Sequence, residues 1–343
     1  MKIALIRRRF SPTGGAERYL ERLAEALLHQ SIEVELWCES WNNPNSVIKN
    51  IRTVPSRNPW EFSEKIQKLS SNVDLRFALD RVPGVEIYRA GDGLHHSWMK
   101  NRLHYSPWLG KIQNLIRPKN KLMCDLDQAI YQHPKLQLVI ANSQMVSAEI
   151  QKEYHFPQEK IAVVHNGIPT HKFQNGDRSL GRKAMKTEND AYVILLVGAG
   201  KERKGHRYLR EAHRRMSHEA QLWIIDSPPP TEIENIYAAA DLFVLPTLYD
   251  PFANVTLEAL TAGNPVITTR HNGAHEILQN GVHGWVMDRA DDINQLRQHL
   301  DALAAPEVRA PFSRAARELG AQFTIEKNLS ETLQAIQRAF GLS

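Results

Sequence analysis

Cysteine is scarce: Cys38 and Cys124 are the only two in 343 residues, far apart and without partners at metal-ligand spacing. That excludes a disulfide framework and a structural zinc site. No uncharged apolar run approaches the roughly 18 residues a membrane-spanning helix needs. The apolar start, residues 1–5 before Arg7, Arg8 and Arg9, is too short for a secretory signal. Low-complexity segments and short-period repeats are also missing. The 15 His residues form no H-E-x-x-H pair and no Cys/His cluster, so no metal site is expected. What remains, 42% hydrophobic and 24% charged residues, is an ordinary soluble composition. At about 150 residues per domain the length suits two domains, each with its own core. A cytoplasmic protein is expected.

The net charge of +5 and pI near 9.1 point to an anionic partner: a phosphorylated small molecule, a membrane surface or nucleic acid. Where the charge lies has to decide between them.

The chain begins with a short apolar strand over residues 2–7, a turn at Ser11-Pro-Thr-Gly-Gly15 and a helical spacing of Tyr19, Leu20, Leu23, Ala26 and Leu27. Residues 32–37 then alternate with period two. Strand, Gly-rich turn, helix and strand make a βαβ unit and imply a parallel sheet. Further strands are expected over 85–90, 136–141 and 161–165. A second series starts at residues 192–198, with strands over 220–226, 242–246, 265–269 and 284–287 and helices between them. The final stretch, 326–339, is expected to be a helix following a linker. The expected domains are 1–170 and 171–325, with residues 326–343 packing back on the first. Two doubly wound halves would place a ligand at the C-terminal ends of their strands.

Three constellations fall at such strand ends. Gly14 and Gly15 open the first helix, where backbone N–H groups can meet a phosphate; two glycines there can equally be a plain tight turn. Gly198-Ala-Gly-Lys-Glu-Arg-Lys-Gly205 brings Lys201, Arg203 and Lys204 to a second such turn. It is not a Walker loop, but Arg can fork onto a diphosphate while Lys adds a point charge. The competing reading is a solvated basic loop. The third is Tyr249-Asp-Pro-Phe-Ala-Asn-Val-Thr-Leu-Glu258. Asp250 lies on a loop and Glu258 early in the next helix, so the two carboxylates can meet different hydroxyls of one ligand. Backbone N–H groups near Asn254 and Val255 can face its phosphate. Glu258 can also be a routine first-turn carboxylate favoured by the helix dipole.

These residues resemble a known family. Asp250 to Glu258 is similar to the E-x7-E signature of retaining GT-B glycosyltransferases of family 4, with Asp in place of the first Glu. Arg203-Lys204-Gly205 resembles that family's diphosphate-gripping pair, and Phe10-Ser-Pro-Thr-Gly-Gly-Ala-Glu-Arg18 its N-terminal glycine loop. Ile140-Ala-Asn-Ser143, His165-Asn-Gly167 and Tyr237-Ala-Ala-Ala-Asp241 match further family phrases, in the same order. Within the family the chain is most similar to lipopolysaccharide core glucosyltransferases. The resemblance implies an α/β GT-B fold of two Rossmann-like domains and transfer of a sugar from a nucleotide diphosphate donor, UDP-linked, to a cell-envelope glycan or glycolipid. It implies Glu258 on the ribose, Asp250 on the transferred sugar, and backbone groups of Phe252, Ala253 and Asn254 on sugar and phosphate. It also implies metal-independent chemistry with no cofactor, the two cations replacing a metal.

One departure stands out. Between the strand ending at Asp226 and Tyr237 only Ser227-Pro-Pro-Pro-Thr-Glu-Ile-Glu-Asn-Ile236 remains, so about one βα unit is missing and the C-terminal sheet should be smaller. A nucleotide-sugar epimerase of the same fold and a membrane-bound non-catalytic scaffold are the alternatives. On the acceptor side, Asp92 or His95 is placed to orient or deprotonate a hydroxyl, although Asp92 between two glycines also suits a turn. Asp125 and Asp127 read as a surface pair on a helix.

From Gly93 to Cys124 there is no acidic residue, while Lys100, Arg102, Lys111, Arg117, Lys119 and Lys121 are interleaved with Trp98, Trp108 and other apolar residues. Such a stretch suits an anionic bilayer surface, the inner face of the cytoplasmic membrane. Its alternative is a helix packed in the domain with a solvated basic face. No nucleic-acid-binding module is present, so nucleic acid is not expected as a partner.

Overall fold

The computed structural model describes residues 1–10, 15–105 and 118–341. They form two compact units, one of residues 1–10, 15–99, 118–164 and 329–341 and the other of residues 100–105 and 165–328.

The first unit is a seven-stranded parallel sheet in the order β3-β2-β1-β4-β5-β6-β7. The strands are β1 (Lys2–Ile6), β2 (Glu33–Cys38), β3 (Asn50–Thr53), β4 (Leu75–Ala78), β5 (Ile87–Ala90), β6 (Leu138–Ala141) and β7 (Ile161–Val163). Ile3 to Ile6 are fully buried, as the centre of a sheet covered on both faces requires. Helices α1 (Gly15–His29), α2 (Pro59–Lys68), α4 (Pro118–Tyr131) and α5 (Gln144–Tyr154) lie in the crossovers, and α3 (His95–Tyr105) begins in this unit while its residues from 100 onward count with the second. Strands β3 and β4 are additions to the sequence reading. Leu75-Arg-Phe-Ala78 is too short to show a period, yet it pairs with β1 from Ile3 to Ile6. A core of Leu20, Leu23, Leu27 and Leu36 also takes in Leu333 and Ile336 of the last helix.

The second unit is a five-stranded parallel sheet, β12-β11-β10-β8-β9. Its strands are β8 (Val193–Val197), β9 (Gln221–Ile225), β10 (Leu242–Leu245), β11 (Val266–Thr269) and β12 (Gly284–Met287). The helices are α6 (Thr170–Gln174), α7 (Arg178–Ala184), α8 (His206–Arg214), α9 (Ile233–Ala239), α10 (Asn254–Ala262), α11 (Ile293–Ala302) and α12 (Pro306–Gly320). The sheet is smaller, as the short segment between β9 and α9 implies, and β9 is one of its two edges. Helix α12 replaces the expected linker. Pro306 suits a first helical turn, and Pro311 inside the helix hid it from a propensity reading. Close packing holds it: a Cβ on Gly320 would stand 2.4 Å from the Thr261 backbone N. The last helix, α13 (Ile325–Phe340), returns to the first unit from Leu329 onward.

Candidate active site

In the second unit, the loops after β8 and β10 build one constellation. Gly198, Gly200 and Gly205 all have positive φ, which folds residues 198–205 tightly at the mouth of α8. A Cβ on Gly205 would lie 1.9 Å from the Pro246 carbonyl oxygen, so only glycine lets the two loops touch there. The loops are fastened together where the Arg203 carbonyl accepts from Leu248 N and Thr247 Oγ1, both at 2.8 Å.

That fastening aims both cations at one carboxylate. Arg203 Nη1 stands 2.6 Å and Lys204 Nζ 2.9 Å from Asp250 Oδ2. Asp250 is 6% exposed. Burial pushes its carboxyl up, but the Lys204 and Arg203 charges outweigh burial and hold it below the ordinary aspartate value. The carboxylate that the resemblance places on the transferred sugar is, in this structure, ion-paired with both Arg203 and Lys204.

Behind Asp250 sits Asn272, a residue the sequence reading missed. It is fully buried. Its Oδ1 accepts from the N–H groups of Ala253 and Ala274, both at 3.1 Å, and its Nδ2 donates to Thr256 Oγ1 and Thr268 Oγ1 at 3.1 Å. The Asp250 N–H donates to the His271 carbonyl and the Gly273 N–H to the Asp250 carbonyl, both at 2.8 Å. The Asn-Gly pair right after β11 was the available signal.

Helix α10 starts beside this knot, and no side chain caps its first turn. Its leading N–H groups, those of Asn254 and Val255, are the kind that receive an anion, whereas the Thr256 N–H already donates to the Ala253 carbonyl at 2.9 Å. Phe252 and Ala253 are buried; the Phe252 ring packs on His165 at 5.5 Å, so this residue has backbone to offer a ligand. The Asn254 side chain accepts from Asn166 Nδ2 at 2.7 Å. Glu258 lies in the second turn of α10, which corrects the first-turn reading. The hydroxyl of fully buried Tyr237 donates to Glu258 Oε2 at 2.7 Å.

The first unit collects charge at the C-terminal ends of β1, β4 and β5. Arg7 pairs with Glu17 at 3.0 Å and Asp80 at 2.7 Å. Burial pushes the Asp80 carboxyl up, with Arg7 opposing it. Arg81 Nε donates to Asp127 Oδ1 at 2.6 Å, Nη2 to the Gly93 carbonyl at 2.8 Å, and Nη1 reaches Asp92 at 3.4 Å. Asp127 is fully buried and also accepts from the His95 N–H at 2.8 Å. The surface-pair reading thus holds for Asp125, which is exposed, and fails for Asp127, because Arg81 compensates its charge inside. Asp92 is open to solvent and His95 half-buried, its Nε2 3.1 Å from Asn120 Oδ1. Burial pushes the His95 imidazole down. The sequence reading named Asp92 and His95 but gave no role to Arg7, at the end of the first strand it placed, or to Asp80 and Arg81, which follow the strand β4 that it lacked.

Gly15 is the first residue of α1, and Gly14 lies outside the described residues, as do Trp108, Lys111 and Arg117. Of the remaining basic stretch, Lys100, Lys119 and Lys121 are exposed and Trp98 is half-buried. Arg102 is engaged, with Nε 3.2 Å and Nη2 2.9 Å from the two oxygens of Glu202. Among the described residues no helix is long and apolar enough to cross a membrane, and no three His, Cys, Asp or Glu side chains gather as metal ligands.

Comparison with known proteins agrees with this geometry. Residues 13–172 match the Glycosyltransferase Family 4 model and residues 178–319 the Glycosyl transferases group 1 model. The chain carries both domains and is a glycosyltransferase of GT-B type. It is 24% identical over 338 residues to an uncharacterized glycosyltransferase of Methanocaldococcus jannaschii, covering 85% of this chain and 86% of that protein. It is 23% identical over 395 residues to D-inositol 3-phosphate glycosyltransferase of Mycobacterium leprae, covering 96% and 89%. Among solved structures it resembles WaaG, a glycosyltransferase involved in lipopolysaccharide biosynthesis, at TM-score 0.79 and 20% identity over 99% of this chain and 100% of that one. It also resembles Anabaena HepE in complex with UDP and glucose, at TM-score 0.71 and 17% identity over 98% and 100%.

Proposed function

We propose that the chain is a retaining hexosyltransferase that moves a sugar from a UDP-linked donor to a cell-envelope glycan or glycolipid of the lipopolysaccharide-core kind. The observation that carries this reading is the convergence of Arg203 and Lys204 on Asp250 beside the uncapped start of α10. A diphosphate arriving there meets a guanidinium fork, an ammonium and free backbone N–H groups, all held in place before it binds. Such preorganised donors lower the barrier when charge builds on the leaving group.

In this reading the acceptor oxygen bonds to the sugar's C1 on the face from which the diphosphate departs. The C1–O bond to phosphate breaks, and the acceptor's proton passes to the departing phosphate oxygen. No strong side-chain base is required, so Arg203 and Lys204 carry more of the rate than any carboxylate. Asp250 holds the two cations in register and shares them with the diphosphate. Glu258, steadied by Tyr237, holds the ribose hydroxyls. Gly14 and Gly15 are assigned to phosphate binding, and Asp92 or His95 to orienting the acceptor. No metal or cofactor takes part. The exposed Lys100, Lys119 and Lys121, with Lys111, Arg117, Trp98 and Trp108, hold the enzyme on the inner face of the cytoplasmic membrane, where a lipid-linked acceptor is found.

The test is release of nucleotide from UDP-glucose, UDP-galactose, GDP-mannose and ADP-glucose with and without a lipopolysaccharide-core acceptor, followed by NMR of the product's anomeric configuration. Acceptor-dependent UDP release with retained configuration is expected. An inverted product overturns the mechanism, and turnover without acceptor points to the epimerase. The five-stranded second sheet is what favours a non-catalytic scaffold, and failure to bind UDP by calorimetry would decide for it.

A further inference from the structure

At the end of the five-stranded sheet remote from Arg203 and Lys204, the second unit has a cavity of about 300 Å³. It lies where the chain enters β10 and β11, on the order of 15 Å, a strand length, from the diphosphate loops. Arg178, Arg309, Arg317, Ser313, Asp241 and Asn264 line it.

Three helix ends meet here. Arg178 Nη1 donates to the carbonyls of Ala238, Ala239 and Ala240 at the end of α9, at 3.2 to 3.3 Å. Arg317 Nη2 donates to Ala262 O at the end of α10 at 2.9 Å, and Arg309 Nη1 to Ala304 O just past α11 at 2.8 Å. Asp241 is shared by Arg178 at 2.8 Å, by fully buried Arg182 at 2.9 Å and by Arg309 at 3.6 Å.

Those contacts satisfy one edge of each guanidinium but do not balance the charge. Three guanidinium groups line the cavity and Arg182 is buried on the other side of the pairing, so four cations stand against the one carboxylate of Asp241. Each helix C-terminus supplies about half a negative charge, so roughly one and a half positive charges remain. Arg317 also keeps Nε and Nη1 without a partner among the described residues. A second, independent feature lies in the same wall. Asn264 is 3% exposed, and its Oδ1 has no donor among the described residues, although Nδ2 donates to Ala240 O at 3.3 Å. A buried acceptor without a donor is costly, about 1–3 kcal/mol.

We propose that this cavity is a binding site for a small phosphate-bearing anion, separate from the donor site. The guanidinium forks match phosphate oxygens. Asn264 needs a hydroxyl, and a protonated phosphate or an alcohol next to a phosphate ester supplies one. An ionised carboxylate has no hydroxyl to give.

The experiment is calorimetric titration with inorganic phosphate and with glycerol 3-phosphate, at ionic strength balanced with chloride. It is run on the wild type and on Arg317→Gln, Ser313→Glu and Arg203→Gln. Both anions are expected to bind the wild type and Arg203→Gln alike. Arg317→Gln is expected to weaken binding at least tenfold, with UDP affinity unchanged. Ser313→Glu, at a partly exposed position on α12, places a like charge at the cavity and is expected to abolish anion binding, which keeps the test alive if Arg317→Gln fails to fold. Tighter binding of the ester assigns an organic phosphate, and equal binding assigns phosphate itself. No anion binding to the wild type, or binding lost in Arg203→Gln and kept in Arg317→Gln and Ser313→Glu, overturns the proposal.

Discussion

Lys204 and Asp250, 46 residues apart, meet as a nearly solvent-free ion pair, Nζ to Oδ2 at 2.9 Å, with Arg203 on the same oxygen at 2.6 Å. Lone charges in such a place are unfavourable, whereas a carboxylate with two cations keeps all three ionised and oriented. The arrangement leaves one positive charge in excess, which in the proposed function meets the donor diphosphate.

Replacing either cation tests that role. Lys204→Ala or Arg203→Ala should lower kcat/KM about tenfold to a thousandfold, the scale of losing one charge-stabilising donor, with most of the loss in kcat. Stability should separate the two. Lys204→Ala strands Asp250 beside one cation and should cost about 1–3 kcal/mol in urea unfolding. Arg203→Ala should cost less, because Arg203 is about one-third exposed and solvent screens it. Wild-type turnover in the double variant would remove the cations from the mechanism.

The same triad predicts an acid limb. The Asp250 carboxyl is held below its ordinary value in the fold, so its contribution is complete above the unfolded value of about 3.9. It is lost as pH falls through the lower folded value. In Lys204→Ala, burial loses its main opponent and the folded value rises. Melting temperature against pH should therefore begin to fall at higher pH in that variant than in the wild type. Superimposable acid limbs would mean that Asp250 is not set by Lys204.

Glu258 and Tyr237 make a different prediction. Glu258→Ala should raise the donor KM with little change in kcat, if Glu258 binds ribose. Tyr237→Phe, which deletes only the hydroxyl 2.7 Å from Glu258, should move KM in the same direction by about tenfold or less, the scale of one hydrogen bond to a charged group. A loss of kcat at unchanged KM would give Glu258 a role in the chemistry.

Membrane docking is tested with phosphatidylglycerol vesicles. Co-sedimentation should occur and weaken with salt, since screening shortens the reach of the charges. Arg102→Gln alone should matter little, because Arg102 already pairs with Glu202. Joint replacement of Lys100, Arg102, Lys111, Arg117, Lys119 and Lys121 by Gln should abolish binding. Binding that survives would move the contact elsewhere.

Local sequence was enough to determine the two parallel-sheet units and the loops that carry Arg203, Lys204 and Asp250. Apolar runs ending in Gly-rich turns mark buried parallel strands, and the residues from Gly198 to Gly205 and from Asp250 to Glu258 lie within single loops. The shortened second sheet was legible too, as a segment too brief to hold another βα unit. Strand β4 and helix α12 were not legible, since four residues carry no period and Pro311 contradicts helical propensity; pairing with β1 and packing on α10 decided them. The same holds for partners. Asp250 reads as a free carboxylate until the fastened loops deliver Lys204 to it, and Asp127 reads as a surface residue until Arg81 meets it inside. Asn272 and the arginines around Asp241 have no local pattern at all. Residue types and turns are short-range information, whereas charge compensation and burial depend on which distant segments meet, and only the folded chain brings those together.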